Sequence, residues 1–455
     1  MWKNLTLEEN KKLKFLMQIN IVKFFILFFI VLGSIYTGYE NPKIVEIPKS
    51  IIKEPKLYFH FALNKIGLRD DILKREDCNL IRRCENNLKK VTNEEKKTTN
   101  NDDEFVEFKA NSFSVISSKV KSYSGKSASL LMSKNQENES EFEIFTQDGF
   151  IIDKKNLKKI DLPLFYYNKQ GGGIKSVFLI KDKYFALVSQ KKYACLYASL
   201  INLKDRKELI KSNCLPNSKD VDFNGLGGAY IKTEDSLILT VGAPEHNAPS
   251  IAELAQLNDS IFGKILSIKK ESIINYNNKN VEYEIFSLGH RNPQGIVYSN
   301  NEIFSLEHGP QGGDELNKII KGKNYGWPKL SFGTRYNNGV GYSRNLSDKN
   351  FEEPIFVFNP AIGPSALNKC PKNLSDYYQN NTCLMALSLR GMSIFIFLLD
   401  KENTRVISVE NILLKKRLRH FGLDKMGNLY FDEENYFYIT ADKDGLYKVK
   451  FDKFR

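Results

Sequence analysis

The segment from Gly289 to Pro328 is the most informative part of the sequence and contains three motifs: GHRNPQG at 289–295, EHGPQGGDELN at 307–317 and GKNYGWP at 322–328. The middle motif places glycines, a proline and the adjacent carboxylates of Asp314 and Glu315 in one turn. Free carbonyls and carboxylates suit a hard cation such as Ca²⁺. Arg291 and Asn292 precede a predicted strand and could present donors to a planar anion. The alternative is a glycine-rich corner with surface acids.

Short β-type runs extend from these motifs in both directions, over residues 105–455. Examples are Ser176–Ile180, Tyr184–Val188, Leu237–Val241, Ile265–Ile268, Ile303–Leu306, Ser393–Leu398 and Tyr436–Thr440. Turn signals such as Lys181-Asp182-Lys183 and Ser299-Asn300-Asn301 separate them. No helical periodicity lasts long enough to build an α/β fold. The pattern therefore predicts an all-β propeller domain, although no clean repeat fixes the number of blades.

The composition indicates a large β-rich core and gives no sign of nucleic-acid binding. Hydrophobic residues make up 42% of the 455 residues, and aromatic residues make up 12%. The formal net charge is +13. Lysines are spread along the whole chain, whereas a nucleic-acid site needs a localised basic stripe. We therefore expect no nucleic-acid partner.

Residues 1–39 are expected to form a cytoplasmic tail and a transmembrane anchor. The run Phe24–Tyr39 is uncharged, and extending it back to Phe15 gives enough length to span a bilayer, with Lys23 as its only charge. Upstream lysines favour a cytoplasmic N-terminus. A cleaved signal peptide is the alternative. Both interpretations export the domain, so we expect a single-pass inner-membrane protein whose C-terminal domain is periplasmic.

Residues 40–104 are expected to form a stalk or linker. Leu57–Leu68 is a candidate for a short amphipathic helix, and Glu85–Glu104 is almost wholly polar and charged. The six cysteines fall into three close pairs, Cys78/Cys84, Cys195/Cys214 and Cys370/Cys383. None has zinc-site spacing, so three local disulfides in an oxidising compartment are the natural hypothesis. Six buried thiols are the alternative.

The three motifs, in this order and at these spacings, resemble those of the glucose/sorbosone dehydrogenase family, which includes the soluble aldose sugar dehydrogenases. The resemblance is specific over 286–328 and weaker over about 222–455. Further matching stretches are Gln256–Asn258, Gly263–Leu266, Pro360–Ser365 and Arg417–Arg419. Residues 1–104 lie outside it. The resemblance implies a six-bladed β-propeller that uses pyrroloquinoline quinone (PQQ) and Ca²⁺.

The resemblance also assigns metal ligands. The carbonyls of Gly309 and Pro310 would hold a Ca²⁺ ion against the quinone. Glu315 and Tyr325 would serve a second, structural Ca²⁺ ion.

Cofactor-binding roles follow from the same resemblance. Arg291 and Asn292 would face the cofactor, and Arg417 and Arg419 would pair with its carboxylates. Arg390, on the preceding strand, is a further candidate. Arginine forks suit PQQ because it is a flat tricarboxylate. The alternative for Arg390, Arg417 and Arg419 is that they only bridge blades.

One position departs from the family pattern. The histidine that removes the hydroxyl proton normally stands before Phe-Gly-Gly, and Gly225 occupies that place here. His290 and His308 belong to motifs in which the family's histidines are not the base. His246 lies in a loop that could approach the channel, which makes it a candidate substitute; the alternative is an ordinary surface histidine.

Two functions are therefore compatible with the sequence. The first is a membrane-anchored, PQQ- and Ca²⁺-dependent aldose dehydrogenase, which oxidises a sugar's anomeric hydroxyl by hydride transfer with a displaced base. The second is a catalytically silent Ca²⁺-binding propeller that binds a carbohydrate or a protein partner. Motif retention favours the first function, and Gly225 favours the second.

Overall fold

A computed structural model describes residues 105–109, 113–136, 139–153, 157–276, 281–342, 350–379 and 381–452. The predicted tail, anchor and stalk and the pair Cys78/Cys84 lie outside these ranges. Within them, no helix has the length and apolar character needed to cross a membrane.

The described residues form mostly short antiparallel strands in five hydrogen-bonded sheets. The nine-stranded sheet contains one parallel pair, and dividing it there gives six groups of strands. The first three groups are β3–β6 (Ser127–Gln136, Glu139–Thr146, Phe150–Ile152, Leu157–Lys159), β7–β11 (Ile174–Ile180, Lys183–Lys192, Cys195–Asn202, Glu208–Lys211, Leu215–Pro216) and β12–β15 (Gly227–Lys232, Ser236–Val241, Lys264–Lys269, Tyr283–Leu288).

The other three groups follow the same plan. They are β16–β19 (Pro293–Ser299, Glu302–Glu307, Asp314–Ile319, Phe356–Phe358), β20–β23 (Pro364–Lys369, Cys383–Ser388, Ser393–Leu399, Val406–Leu413) and β24–β26 (Leu418–Leu423, Phe437–Ala441, Gly445–Asp452) with β1 (Phe105–Lys109) and β2 (Ser114–Ser122). Helices are confined to short connections, namely α1 (Pro249–Ala252), α2 (Lys270–Ile274), α3 (Lys372–Tyr377) and 3₁₀ turns at Phe223–Gly225 and Glu253–Gln256.

The strand runs predicted from the sequence are confirmed. All seven lie in strands, except that β25 begins one residue after Tyr436. The turn signals act as expected, because Lys181, Asp182, Asn300 and Asn301 adopt positive φ between paired strands.

The first strands of the six groups surround one central cavity. β3, β7, β12, β16, β20 and β24 all contribute lining residues. Each contacts the first strand of the next group, and β24 pairs in parallel with β3 through Gly422 and Leu130. β2 pairs with β26, so the N-terminal part of the domain completes the last group. This circular all-β arrangement is that of a propeller.

The hydrophobic core lies between neighbouring groups, where the face of one sheet packs on the next. One cluster, for example, joins Phe178 and Phe185 of the second group to Leu239 and Leu266 of the third. Each fully buried side chain of this size contributes about 1.5–3 kcal/mol. The disulfides Cys195–Cys214 and Cys370–Cys383 form as predicted, within the second and fifth groups.

Candidate functional site

The central cavity, with a volume of about 830 Å³, is the candidate site. This volume lies within the range of small-molecule sites. Its described wall carries seven lysine and arginine side chains but only two carboxylates, those of Asp222 and Glu245. An excess of positive charge in a confined cavity favours an anionic ligand. Of the predicted residues, Gly225, His246, Arg291, Asn292, Arg417 and Arg419 line the cavity.

The two arginines of the Arg417–Arg419 stretch differ in their partners. Arg419 is held by Asp442, whose Oδ1 accepts a hydrogen bond from Nε at 2.9 Å and whose Oδ2 pairs with Nη2. Arg417 donates from Nη1 to the carbonyl of Leu389 at 3.3 Å. Arg419 is therefore a fixed and largely compensated cation, whereas Arg417 can turn toward a ligand.

Arg291 joins the cavity wall to the predicted metal corner. Its Nη1 donates to the carbonyl of Gly309 at 2.7 Å, and its Nη2 lies 3.3 Å from Oε1 of Glu245. The guanidinium also lies 5.2 Å from the centre of the Trp327 ring, a cation–π distance. These contacts fix the orientation of Arg291.

The turn that carries Gly309 and Pro310 is built around a buried carboxylate. Asp314, which is 1% exposed, accepts hydrogen bonds from the main-chain N–H groups of Gly309 at 3.0 Å, Ile362 at 2.8 Å and Gly363 at 2.7 Å. The carbonyl of Pro310 accepts a hydrogen bond from the Tyr336 hydroxyl at 2.7 Å. The two predicted metal-binding carbonyls are thus held in place, each beside a donor from the cavity wall.

Glu315 faces a second carboxylate rather than a tyrosine hydroxyl. It lies opposite Glu307 in the β17–β18 ladder, and burial, with Glu307 nearby, raises the pKa of Glu315 well above its usual value. Asn317 donates to Oε1 of Glu307 at 2.9 Å, while its own Oδ1 is buried without a hydrogen-bonding partner. The hydroxyl of Tyr325 is occupied, because it donates to the Lys318 carbonyl at 2.6 Å.

The segment around Gly225 is fixed by amides of the next group. Asn292 donates to the Asn224 carbonyl at 3.3 Å and accepts from the Gly227 N–H at 3.1 Å. Gln294 donates to the same Asn224 carbonyl at 3.1 Å. Asn292 therefore positions the segment in which the family's base is expected.

Of the remaining predicted residues, His246 lines the cavity and Arg390 does not. His246 lies at the cavity edge, where its ring stacks on Tyr336 at a centroid distance of 5.7 Å. Arg390 is exposed just after the end of β21 and is not among the residues that line the cavity, although its neighbour Leu389 accepts the hydrogen bond from Arg417. Its backbone packs against Gly363, because a Cβ added to Gly363 would lie 3.2 Å from both N and Cβ of Arg390.

Sequence reasoning missed one cavity residue with unusual chemistry, Lys175 on β7. Its Nζ donates to the Gly171 carbonyl at 2.8 Å. Burial, with Arg419 and Lys126 nearby, lowers the pKa of Lys175 to about 7, although Asp222 opposes the shift. The resemblance is too weak before residue 222 to mark this position. The available signal was a lysine in a β-run directly after Gly171–Gly173.

The model of one protein family, described as "Glucose / Sorbosone dehydrogenase", matches residues 196–437, more than half of the chain. The chain belongs to the glucose/sorbosone dehydrogenase family. This confirms the family predicted from the three motifs.

Three curated relatives match parts of this family member. It is 30% identical over 209 residues to an uncharacterised protein of Synechocystis, 29% over 159 residues to an aldose sugar dehydrogenase of Escherichia coli, and 32% over 147 residues to quinoprotein glucose dehydrogenase B of Acinetobacter calcoaceticus. These matches cover 43%, 33% and 28% of this chain and 50%, 42% and 30% of the relatives. The chain thus spans half or less of the length of each relative.

Solved structures support the fold. The apo-form of the soluble aldose sugar dehydrogenase of Escherichia coli superposes with a TM-score of 0.58 at 20% identity, covering 74% of this chain and 99% of that one. A glucose dehydrogenase crystal structure gives a TM-score of 0.56 at 21% identity, covering 73% and 99%. The family member therefore has the propeller-like all-β fold of these proteins.

Proposed function

We propose that the protein is a PQQ- and Ca²⁺-dependent aldose dehydrogenase, which oxidises the anomeric hydroxyl of a sugar by hydride transfer to the quinone. The observation that carries this proposal is the basic wall of the central cavity, with seven lysine and arginine side chains against two carboxylates. A planar tricarboxylate matches guanidinium forks in shape and charge. The names of two relatives, an aldose sugar dehydrogenase and a quinoprotein glucose dehydrogenase, support the same chemistry.

The residues present fit PQQ. Arg417 would bind a carboxylate of the cofactor, since its one described hydrogen bond, at 3.3 Å, is long. Arg419 would offer a fixed N–H edge, because Asp442 already holds the rest of its guanidinium. Arg291 and Asn292, which directly precede the fourth group of strands, would contact the same ligand from the cavity wall. Arg390 does not line the cavity and is not needed in this arrangement.

The carbonyls of Gly309 and Pro310 fit a Ca²⁺ ion beside the quinone. Each accepts one hydrogen bond at 2.7 Å, from Arg291 and Tyr336 respectively, and a carbonyl oxygen has two lone pairs. A cation could therefore share these oxygens or displace the donors. Asp314 holds the turn, so little ordering would be needed on binding. Glu245 offsets the charge of Arg291 near this point.

A second Ca²⁺ ion would bind at Glu315. Two carboxylates opposite each other repel unless a cation lies between them. The buried and unpaired Oδ1 of Asn317 supplies a third oxygen on the same strand. Tyr325 could contribute through its main chain, since its hydroxyl is already hydrogen-bonded.

When bound, PQQ supplies a two-electron acceptor for the hydride, and Ca²⁺ supplies a Lewis acid beside it. The protein's part is to bind the sugar, exclude water and accept the hydroxyl proton. Gly225 has no side chain for the last task. His246, at the cavity edge beside Tyr336, is the substitute that the sequence suggested.

The six strand groups would be the blades of a six-bladed propeller at 105–455. Residues 1–39 would anchor the protein in the inner membrane, and 40–104 would form the stalk, with the propeller in the periplasm. The two described disulfides support this location, because such bonds persist in oxidising compartments. Anchoring would place the reduced quinone close to the membrane, where electrons can be passed on.

The proposal is tested by adding PQQ and CaCl₂ to the purified full-length protein and recording the quinone absorbance before and after aldoses are added. We expect saturable PQQ binding and reduction by at least one aldose. Arg417→Ala should weaken PQQ binding at least tenfold, whereas Arg390→Ala and the surface variant Arg405→Ala should not. Failure to bind PQQ would refute the proposal. Binding without reduction by any aldose would favour a silent propeller.

A further inference from the structure

We propose that Lys175 is the proton acceptor in the sugar oxidation, in place of the histidine that is absent at Gly225. This inference rests on the proposed function. Lys175 lies on β7, the first strand of the second group, and its side chain lines the central cavity.

The amine of Lys175 is tethered to a glycine that packs on the segment containing Gly225. Nζ donates to the Gly171 carbonyl at 2.8 Å. Gly171 packs directly on Asn224, the neighbour of Gly225, because a Cβ added to Gly171 would lie within 2.6 Å of three Asn224 atoms. On the other side, a Cβ on Gly228 would lie 3.1 Å from Cβ of Lys175. Lys175 therefore contacts residues 224–228, which include Gly225, directly at Gly228 and indirectly through Gly171 and Asn224.

The surroundings of Lys175 make its amine a usable base. Burial is the largest cause of its lowered pKa of about 7, and Arg419 and Lys126 lower the pKa further, whereas Asp222 raises it. His420 also faces this group, but burial lowers the pKa of His420 to about 3 and leaves its ring uncharged. A base is most effective when its pKa is near the working pH. A desolvated lysine can meet this condition, whereas a fully exposed one cannot.

Other proton acceptors on the wall are less suited. Glu245 is committed to Arg291 through Oε1 and to the Ala248 N–H, at 3.3 Å, through Oε2. The Nε2 of His308 is buried, so a substrate cannot reach it. His246 is on a loop, and catalytic groups are positioned less exactly on loops than on strands. Lys175 is on a strand and is tethered at Nζ.

The proposed step is balanced by the quinone as the two-electron acceptor. The O–H bond of the anomeric hydroxyl breaks, and its proton goes to the lone pair of the neutral Lys175 amine. The C–H bond breaks with its electron pair, the hydride goes to the quinone, and the C=O bond of a lactone forms. The sugar is oxidised and the quinone reduced. The Lys175 ammonium then returns its proton to solvent through the cavity.

The first test needs no cofactor. Lysines of the PQQ-free, full-length protein are reductively methylated at several pH values, and each site is quantified by mass spectrometry. We expect the labelling of Lys175 to rise with a midpoint near pH 7. Lys232, whose pKa burial lowers to about 8, is the internal standard, and the exposed Lys158 is the reference for a surface amine. A midpoint near that of Lys158 would overturn the proposal.

The second test uses the PQQ- and Ca²⁺-loaded protein. Lys175→Met and Lys175→Arg should lower kcat about 10²- to 10⁴-fold, with PQQ affinity changed only a few-fold, and should abolish the rise of kcat with pH near 7. The control, Lys158→Met at an exposed position on β6 outside the cavity wall, should keep both kcat and the pH profile. Thermal unfolding confirms that each variant is folded.

The outcomes separate the inference from the proposed function. If the wild type oxidises an aldose and Lys175→Met does so equally well, the inference is wrong and the function stands. If Lys175→Arg retains kcat, Lys175 only binds an anion. If His246→Asn, rather than Lys175→Met, abolishes the pH-dependent rise, His246 is the base. If the wild type binds PQQ but oxidises no aldose, both the inference and the proposed function are wrong.

Discussion

Replacing Lys175 by methionine should stabilise the protein at neutral pH. The pKa of this lysine falls from 10.5 in the unfolded chain to about 7 in the fold. A difference of one in pKa corresponds to about 1.4 kcal/mol, so the upper limit of the cost is about 5 kcal/mol at and below pH 7. Water in the cavity and local relaxation reduce this figure, and we expect a gain of about 1–3 kcal/mol.

The sign of the pH dependence is fixed by proton binding. Between pH 7 and 10.5 the unfolded chain carries a proton on Lys175 that the folded protein has released. The wild type therefore gains stability as pH rises through this window, relative to Lys175→Met, and the difference is constant below it. Lysines that do not interact with Lys175 contribute equally to both proteins and cancel in the comparison.

Urea unfolding at pH 7, 8.5 and 10, at constant ionic strength, measures this difference. Lys158→Met, at an exposed position on β6, is the control and should leave the pH dependence unchanged. Parallel stability–pH curves for wild type and Lys175→Met would refute the assignment of a desolvated, largely neutral amine. They would also remove the physical basis for Lys175 as a base.

Three further predictions concern the corner motif and the fifth group. Glu315→Gln should raise the thermal unfolding midpoint in EDTA, because the substitution removes the like-charge pair with Glu307. The variant should also lose the increase in this midpoint that CaCl₂ causes in the wild type. An unchanged response of the midpoint to CaCl₂ would rule out this cation site. Asp314→Ala should lower the free energy of unfolding, measured in urea, by about 3 kcal/mol or more, since three buried N–H groups lose a charged acceptor. Replacing Cys370 and Cys383 by alanine should cost about 3 kcal/mol in the absence of reductant, and reduction of the wild type should reproduce the loss.

The sequence predicts the strands and the corner well because both depend on local patterns. Alternating apolar runs and turn residues determine the strands, and the matching stretches interlock. Gln256, for example, donates to the Trp327 carbonyl at 2.6 Å and exchanges hydrogen bonds with Asn324. Stretches that contact each other directly in this way produce a recognisable set of motifs at fixed spacings.

Partners from distant parts of the chain were not predictable in the same way. Asp442 compensates Arg419, and Tyr336 holds the Pro310 carbonyl, but neither belongs to a motif. Arg390 was a candidate because the resemblance implies a basic residue on the strand before Arg417 and Arg419. Arg390 is exposed just after β21 and does not line the cavity, which only the three-dimensional course of the chain reveals.

The first two motifs, at 289–295 and 307–317, also have a structural role that is independent of catalysis. The buried ring of His290 pairs with Ser287 and Glu307 at 2.9 and 3.0 Å, and Glu307 also accepts from the Arg291 N–H at 2.8 Å. These contacts would be needed in a silent propeller as much as in an enzyme, so retention of the motifs cannot distinguish the two.

Substitutions in the wall outside the motifs would distinguish them. A desolvated amine that lowers stability needs a binding or chemical role, since an apolar residue at position 175 would fold better. Perturbed ionisable groups of this kind concentrate at functional sites. If Lys175→Met is both more stable and inactive, the lysine is retained for chemistry. If the variant is more stable and equally active, Lys175 does not replace the base missing at Gly225, and His246 becomes the next residue to test.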